Sequence, residues 1–174
     1  FNPLRKALRH GTPLCDCVVS KAIALIEAVK DIPALRVIDV DSAMFCNAGA
    51  FIYEELGYTL AWGAQWMTAL TEAGVSVDEA ARRIKFDMGV SSNFFMEIAK
   101  FRAGRMLWAD IVKQYKPADE AAAKMVVHAS TSRYNQTIFD AHVNLLRSQT
   151  ETMSAAVAGV DSITVTPFDA PYKK

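Results

Sequence analysis

Residues 92–115 read SNFFMEIAKFRAGRMLWADIVKQY, and the large apolar residues of this stretch recur at steps of three, four and seven. They are Phe94, Ile98, Phe101, Trp108 and Val112. This spacing places them on one face of a long α-helix, for which we predict Ser92 as the N-cap. Short apolar runs lie on either side, at residues 85–90 and 125–130. Each run is too short for a helix, so we predict strand, long helix, strand.

The rest of the chain divides into segments of the same kind. Asp16 caps a predicted helix, Ser76 and Glu79 open another with a capping-box pattern, and Gly74 and Gly159 follow helices as C-terminal glycines. We predict helices at residues 16–30, 50–73, 76–84 and 143–157, strands at 35–40 and 163–165, and turns or irregular chain at 1–14, 42–49 and 131–140.

The predicted order of elements is α-β-α-α-β-α-β-α-β, with connections long enough for parallel pairing of the strands. Parallel strands are typically buried on both faces, which fits the short apolar runs. Two α/β architectures remain open, a doubly wound sheet and a segment of a (β/α)8 barrel. The sequence has neither G-x-G-x-x-G nor G-x-x-x-x-G-K, so no nucleotide motif favours the first. Four strands are half of a closed barrel, so the second makes this chain a fragment.

Composition limits the classes of function. The 174 residues are 52% hydrophobic and have a formal net charge of +0 at pH 7, which suits one globular domain. A neutral chain lacks the basic field that attracts nucleic acids and anionic membranes. No stretch approaches the ~20 apolar residues of a membrane span, and no secretory leader opens the sequence. We therefore expect a cytoplasmic protein without nucleic-acid or membrane partners.

The cysteines predict neither a disulfide framework nor a metal site. Cys15, Cys17 and Cys46 form no C-x-x-C pair, and an odd number cannot all be paired within the chain. His10 together with Cys15 and Cys17 lacks the ligand spacing of a usual zinc site. We expect reduced thiols and no bound metal.

Polar side chains collect where the predicted strands end, which is where ligands bind in both architectures. Asp39 and Asp41 share one side of a strand, so paired acid/base chemistry is one interpretation. Bonding to turn amides and to a neighbouring Arg is the interpretation that we favour. His128 lies on or just after the third strand, and a lone His is more often structural than catalytic. No Ser/His/Asp arrangement is suggested by the spacing.

Residues 93–108, NFFMEIAKFRAGRMLW, closely resemble the NFFMEIAK-R-A-R-LW stretch of the methylmalonyl-CoA mutase family. The likeness covers nearly all of the chain from residue 35 onward, in one order. It continues through N-A-G-A at 47–50, E-L-G-Y-T-L at 55–60, D-E at 78–79, H-x-x-T-S at 128–132, V-N-L-L-R at 143–147, E-x-M-S-A-A at 151–156, G-V-D-S at 159–162 and P-F-D at 167–169.

The resemblance implies a (β/α)8 barrel threaded by the pantetheine arm of coenzyme A, with a separate C-terminal cobalamin-binding domain. In that family, homolysis of the cobalt–carbon bond of adenosylcobalamin starts a radical rearrangement between methylmalonyl-CoA and succinyl-CoA. Residues 1–174 would supply about half of the barrel. The D-x-H-x-x-G signature of the cobalamin domain is absent from them, so we expect no cofactor bound to this part.

The resemblance fails at the family's catalytic turn. Catalytic members read Tyr-His-Met-Gln-Glu-Ala-Gly there, and this chain reads AMFCNAG at residues 43–49. Ala43 therefore replaces the Tyr that positions the radical, and Met44 replaces the His that bonds the thioester carbonyl. Methionine cannot donate that hydrogen bond. The resemblance also implies a vestigial substrate-binding set, which comprises Arg83 and Lys85, in place of the family's Arg-Leu-Ser, together with His128 and Ser130. Arg133 stands where the family has a small Gly near the cobalamin face.

These losses resemble the small, non-catalytic subunit of heterodimeric bacterial mutases. The first hypothesis is a fragment of that subunit, a structural partner of a large catalytic subunit. The second is a catalytic acyl-CoA mutase chain with a rearranged site that uses an acid such as His128. A free-standing binding module is a third, which an unclosed sheet argues against. A half barrel would expose two strand edges and an inner apolar face, so we expect it to self-associate.

Overall fold

Four parallel strands form one sheet in the computed structural model, which describes residues 1–15 and 17–172. The strands are β1 (Ile38–Asp41), β2 (Ile84–Val90), β3 (Val127–Thr131) and β4 (Ser162–Thr164), hydrogen-bonded in that order. A doubly wound sheet reverses its strand order at a switch point, and the described strands show no reversal. The order is consistent with part of a (β/α)8 barrel.

Helices of very different length connect and precede these strands. They are α1 (Pro3–His10), α2 (Val18–Ala28), α3 (Ala43–Asn47), α4 (Ile52–Glu72), α5 (Val77–Arg83), α6 (Phe94–Gln114) and α7 (Ala141–Ala158), with short 3₁₀ turns at Glu120–Ala123 and Ala170–Tyr172. No helix within residues 1–15 and 17–172 is both long and apolar enough to cross a membrane.

The long helix predicted between two strands is confirmed as α6, and it packs on the helix-covered face of the sheet. Phe86 of β2 meets the indole ring of Trp108 edge-on, with ring centroids 4.7 Å apart. Gly63 of α4 lies against both rings, because any Cβ there would approach Trp108 within 2.7 Å. The N-cap is Asn93 rather than the predicted Ser92, and its side chain makes no capping hydrogen bond.

The opposite face of the sheet is polar, which corrects two sequence-based expectations. We expected strands buried on both faces and an inner apolar face. Instead, alternate residues of each strand carry polar groups to this face, and several are half-exposed. They are Asp39, Asp41, Lys85, Asp87, His128, Ser130, Ser162 and Thr164, which the parallel register brings side by side. The period-2 alternation of strands explains the pattern, and the apolar residues between them face the helices.

Two segments predicted to be irregular are helical. Residues 1–14 include α1, because Pro3 occupies the first helical turn, Asn2 accepts a hydrogen bond from the Arg5 amide, and Gly11 ends the helix with φ +62°. Pro and Gly often break regular structure, whereas here they lie at the positions where helices start and stop. Residues 42–49 include the short helix α3, which follows directly after β1.

The N-terminal segment also corrects the expectation of reduced thiols. Cys15 and Cys17 form a disulfide across a sequence separation of 2, whereas Cys46 is free and buried. Asp16, predicted as the N-cap of α2, lies outside the described residues. The backbone of Phe1 bonds along the outer edge of β1. Its amino group donates to the Val37 carbonyl at 2.6 Å, and its carbonyl accepts from the Asp39 amide at 3.2 Å.

Candidate functional site

A cleft of about 460 Å³ lies at the carboxyl ends of the strands, and we call it the rim cleft. Its walls come from α1, α3, the strand ends and the loop after β3. The lining residues are Arg5, Asp41, Ala43, Met44, Asn47, Ala48, Asp87, Ser130, Thr131, Arg133, Thr164 and Thr166. In α/β proteins with parallel strands, ligands bind at this end of the sheet.

Ala43 and Met44 line the rim cleft from the first turn of α3. The turn is fixed to the neighbouring strand by Ser42, whose amide and hydroxyl both donate to the Asp87 carbonyl, at 2.7 and 3.1 Å. A methyl group and a thioether therefore occupy the position next to the end of β1. Neither side chain has a hydrogen to donate, so this turn can neither polarise a carbonyl nor move a proton.

The two carboxylates of β1 are each paired with a cation. Asp41 forms an ion pair with Arg5 of α1, and Asp39 lies 3.3 Å from the Lys85 ammonium of β2. Burial raises the pKa of the Asp41 carboxyl, although the Arg5 guanidinium opposes that change. These contacts agree with the structural interpretation of the pair, in which a neighbouring Arg neutralises one carboxylate.

Three of the four predicted substrate-binding residues share the polar face of the sheet. Ser130 donates to Asp87 at 3.2 Å and lines the rim cleft. His128 lies lower on β3, where Nδ1 is 2.7 Å from the Ser162 hydroxyl and Nε2 is 2.9 Å from the Thr164 hydroxyl. Lys85 is also low on the sheet, in register with Asp39. Burial raises the pKa of Asp87, and the neighbouring His128 opposes that change.

Arg83 lies apart from the other three. It ends α5, at the amino end of β2, and its side chain is buried. The guanidinium donates to Glu79 at 2.6 Å and to the carbonyls of Ile32 and Leu35 at 2.8 Å each. These bonds fasten the chain between α2 and β1 to α5. The structure therefore does not bring the four residues together in one constellation.

A buried ionic cluster of Glu55, Glu97 and Lys100 lies at the carboxyl end of β2. The Lys100 ammonium lies 2.6 Å from a carboxylate oxygen of Glu55, 2.6 Å from one of Glu97 and 2.7 Å from the Gly89 carbonyl. All three side chains are inaccessible to solvent or nearly so. Burial lowers the pKa of Lys100, but the two carboxylates outweigh it and the pKa is raised, so the amine stays charged.

The cluster holds the end of β2. Glu55 accepts from the Gly89 amide at 2.6 Å, and Glu97 accepts from the Ser91 amide at 2.8 Å. These charged residues lie within the motifs that carry the family resemblance, which did not predict a role for them. The signal was present on α6, because Glu97 and Lys100, one turn apart, lie beside the apolar residues Ile98 and Phe101.

A second buried carboxylate, Glu151 of α7, holds the loop after β3. It accepts from the Ser132 amide at 3.1 Å and from the Asn135 side chain. Burial raises the pKa of Glu151 to about 8, while the Ser132 hydrogen bond opposes the shift. The same loop carries Arg133, whose amide donates to the Asn47 side chain at 2.7 Å. α3 and the loop are thus joined across the rim cleft.

The family of this chain follows from comparison with known proteins. The profile of the methylmalonyl-CoA mutase family matches residues 17–174. The chain belongs to the methylmalonyl-CoA mutase family. Over its full length it is 53% identical to the methylmalonyl-CoA mutase small subunit of Porphyromonas gingivalis. Over 80% of its length it is 34% identical to the methylmalonyl-CoA mutase of Rhizobium meliloti and 36% identical to the mitochondrial methylmalonyl-CoA mutase of Homo sapiens.

Each of these mutases is much longer than this chain. The match spans 28% of the Porphyromonas small subunit, 20% of the Rhizobium mutase and 19% of the human mutase. The family predicted from residues 93–108 is therefore confirmed, and activity, substrate and partners are matters for a proposal.

The methylmalonyl-CoA mutase family depends on adenosylcobalamin. Within residues 1–15 and 17–172, no group of three or more His, Cys, Asp and Glu side chains is placed to hold a metal ion. His128 has a hydroxyl partner at each ring nitrogen. The sheet hydroxyls thus engage the His128 ring, and no chemical step at the rim cleft is assigned to the cofactor.

Proposed function

We propose that this chain is part of the barrel domain of a methylmalonyl-CoA mutase small subunit, and that it is a non-catalytic, structural partner of a large catalytic subunit. The observation that carries the proposal is the pair Ala43 and Met44 at the rim cleft. Rearrangement of an acyl-CoA ester requires a donor that can hold the thioester carbonyl, and electrostatic stabilisation of this kind is usually a large part of catalysis. The thioether of Met44 is not a hydrogen-bond donor.

Several other hydroxyl and cationic groups at the rim cleft are already engaged. The Ser130 hydroxyl donates to Asp87, the Arg5 guanidinium is paired with Asp41, and the Thr131 hydroxyl accepts from the Thr166 amide at 2.7 Å. These bonds stabilise the rim. A small subunit that keeps the barrel and loses the site is consistent with this arrangement.

A second candidate is a catalytic chain with a rearranged site. Arg133 favours it, because this guanidinium lines the rim cleft and is a cation that could donate to a carbonyl oxygen. His128 does not favour it, because the ring lies low on β3 and both nitrogens have hydroxyl partners. The bulky Arg133 also takes up space at the cleft, which is the reason that we rank this candidate second.

Turnover of methylmalonyl-CoA distinguishes the two candidates. The full-length small subunit, supplied with adenosylcobalamin, should form no succinyl-CoA alone, and Met44→His should not restore turnover by itself. The heterodimer with the large subunit should be active. Turnover by the small subunit alone would contradict the proposal, and its loss in Arg133→Met would support the rearranged site. Arg102→Met, on the exposed face of α6, is the matched control.

A further inference from the structure

The disulfide between Cys15 and Cys17 closes a very short loop in the connection between α1 and α2. A disulfide stabilises a fold mainly by restricting the unfolded chain, and the effect grows with the length of the loop that it closes. At a sequence separation of 2, the restriction is small. Stabilisation of the fold is therefore a weak reason for this disulfide, and reversible exchange with other thiols is a stronger one.

Cys15 lines a cleft of about 350 Å³, which we call the α1–α2 cleft. Its walls include Lys6 and Ala7 of α1, and Val18 and Lys21 of α2. Neither lysine ammonium is paired with a carboxylate within residues 1–15 and 17–172, and no Asp or Glu of those residues lines the cleft. The disulfide therefore meets this cleft through Cys15, beside two positive charges.

The two sulfurs differ in their surroundings. Cys17 is the N-cap residue of α2, whose 11 residues align their peptide dipoles and favour negative charge at this end. A thiolate at a helix N-terminus is stabilised, and a stabilised thiolate leaves readily in thiol–disulfide exchange. Cys15 has another support, because the Cys17 amide donates a hydrogen bond to its Sγ at 3.1 Å. Cys15 is thus placed to be attacked, and Cys17 is placed to leave.

We propose that Cys15 and Cys17 are a reversible redox pair, and that the α1–α2 cleft presents Cys15 to a small thiol that carries negative charge. The thiolate of that molecule attacks Sγ of Cys15, the bond between the two cysteines breaks, and the electron pair leaves with Cys17. A second thiolate then attacks the sulfur that the first molecule contributed, and Cys15 is released. The small thiol is oxidised to its disulfide, and its two electrons and two protons pass to the cysteines.

The charge of the α1–α2 cleft selects the class of thiol. Lys6 and Lys21 attract carboxylate groups, which glutathione carries, or phosphate groups, which coenzyme A carries. Cysteamine carries an ammonium group instead and gains nothing from the two lysines. This inference does not rest on the proposed function, because neither cysteine lines the rim cleft.

The rate at which small thiols reduce the pair tests the proposal. The full-length protein that contains this chain is oxidised with glutathione disulfide and then treated with glutathione, coenzyme A or cysteamine at low salt. Alkylation stops the reaction, and mass spectrometry of the peptide that contains Cys15 and Cys17 measures the fraction reduced. All three thiols should reduce the disulfide, which the two alkylated cysteines report.

The double variant Lys6→Gln, Lys21→Gln isolates the effect of charge, because each thiol is compared with itself. It should slow reduction by glutathione or coenzyme A by about threefold or more, and leave the rate with cysteamine unchanged or higher. About 0.5 M salt should abolish the difference. Lys30→Gln, Lys113→Gln removes the same charge from exposed positions elsewhere and is the matched control, which should react like the parent.

Serine variants test which sulfur receives the small thiol. With glutathione disulfide, Cys17→Ser should accumulate a mixed disulfide at Cys15, which is the reverse of the second step. Cys15→Ser should form one at Cys17 much more slowly. Cys46 is the internal control, because its thiol is buried and burial raises its pKa to about 12, so it should stay unmodified.

Three results would each overturn the proposal. The two thiols could stay free after treatment with glutathione disulfide, or the disulfide could resist all three small thiols, so that no reversible pair exists. The rates with glutathione and coenzyme A could be the same in Lys6→Gln, Lys21→Gln as in the parent, so that the cleft does not select negative charge. Faster modification of Cys17 than of Cys15 would contradict the assigned order of attack.

Discussion

Single buried charges in this chain have roles that depend on their partners. Lys100 neutralises two buried carboxylates from α4 and α6, and all three lie behind the end of β2. Removing one partner from a buried ion pair leaves an uncompensated charge, which is far more costly than losing an exposed pair. Lys100, for which no role was predicted from the sequence, is therefore among the side chains on which folding depends most.

Lys100→Met should lower the free energy of unfolding by about 3–5 kcal/mol, because Glu55 and Glu97 would remain buried without a cation. Lys113→Met, in the same helix, removes an exposed pair with Asp110 at 3.5 Å and should cost at most about 0.5 kcal/mol. Urea denaturation of both variants measures the difference. Equal, small losses would show that the cluster does not stabilise the fold.

Glu151 predicts a specific dependence of stability on pH. Its pKa is raised to about 8 in the folded chain, against about 4.3 in an unfolded one, so the folded state binds the proton more tightly. Its contribution to stability is therefore complete below about pH 4 and is lost as the pH rises through about 8. Glu151→Gln cannot ionise, so its stability relative to the parent chain should rise over that range.

The measurement is the difference in unfolding free energy between Glu151→Gln and the parent chain from pH 4 to pH 9, since other titrations cancel in the difference. Glu72→Gln, at an exposed position, should show a flat difference. A flat difference for Glu151→Gln as well would mean that its carboxyl titrates normally.

The location of a residue followed from the sequence where it depended on position along the chain. Ala43 and Met44 were predicted to replace the family's catalytic pair, and they line the rim cleft. Arg83 was grouped with His128 because the family resemblance implied it, but Arg83 lies before β2 and bonds to Glu79, Ile32 and Leu35, whereas His128 bonds to hydroxyls of β4. A sequence places a residue near the start or end of a strand more readily than it shows what the side chain contacts.

At the scale of elements, α4 offers a matched pair of glycines. A Cβ at Gly63 would lie 2.7 Å from Trp108 and 2.9 Å from Phe86, whereas a Cβ at Gly57 would meet no atom within 4 Å. Gly63→Ala should therefore destabilise the chain by about 1–3 kcal/mol through overpacking. Gly57→Ala should stabilise it by roughly 0.4–1 kcal/mol, because alanine restricts the unfolded chain.

Thermal or urea unfolding of the two alanine variants is the measurement. The same substitution in the same helix should change the free energy of unfolding in opposite directions. A stabilised Gly63→Ala variant would mean that α4 does not pack against Phe86 and Trp108 as described.

Helices in which apolar residues repeat over many turns were predictable from the sequence, and short helices were not. α6 and α4 carry many turns of periodic residues, and both were found close to the predicted bounds. α1 and α3 span 8 and 5 residues, so their formation depends on caps and on neighbours more than on periodicity. The Asn2 cap and the Gly11 C-terminus of α1 were present in the sequence, but residues 1–14 were predicted to be irregular.

At the scale of the whole molecule, the order and parallel pairing of the strands were predictable because crossover helices separate them. The polar face of the sheet was not anticipated, although Asp39, Asp41, Lys85 and Asp87 alternate visibly along two strands. Pairs such as Arg5 with Asp41, separated by 36 residues, become neighbours only once the chain has folded. No local sequence pattern predicts such a pair.

The central claim is that the rim cleft of this chain no longer holds an acyl-CoA ester. Calorimetric titration of methylmalonyl-CoA into the full-length heterodimer and into the isolated small subunit tests it most directly. The account predicts one binding site per heterodimer, on the large subunit, and none on the small subunit. Two sites per heterodimer, or saturable binding to the small subunit that Met44→Lys abolishes, would contradict it.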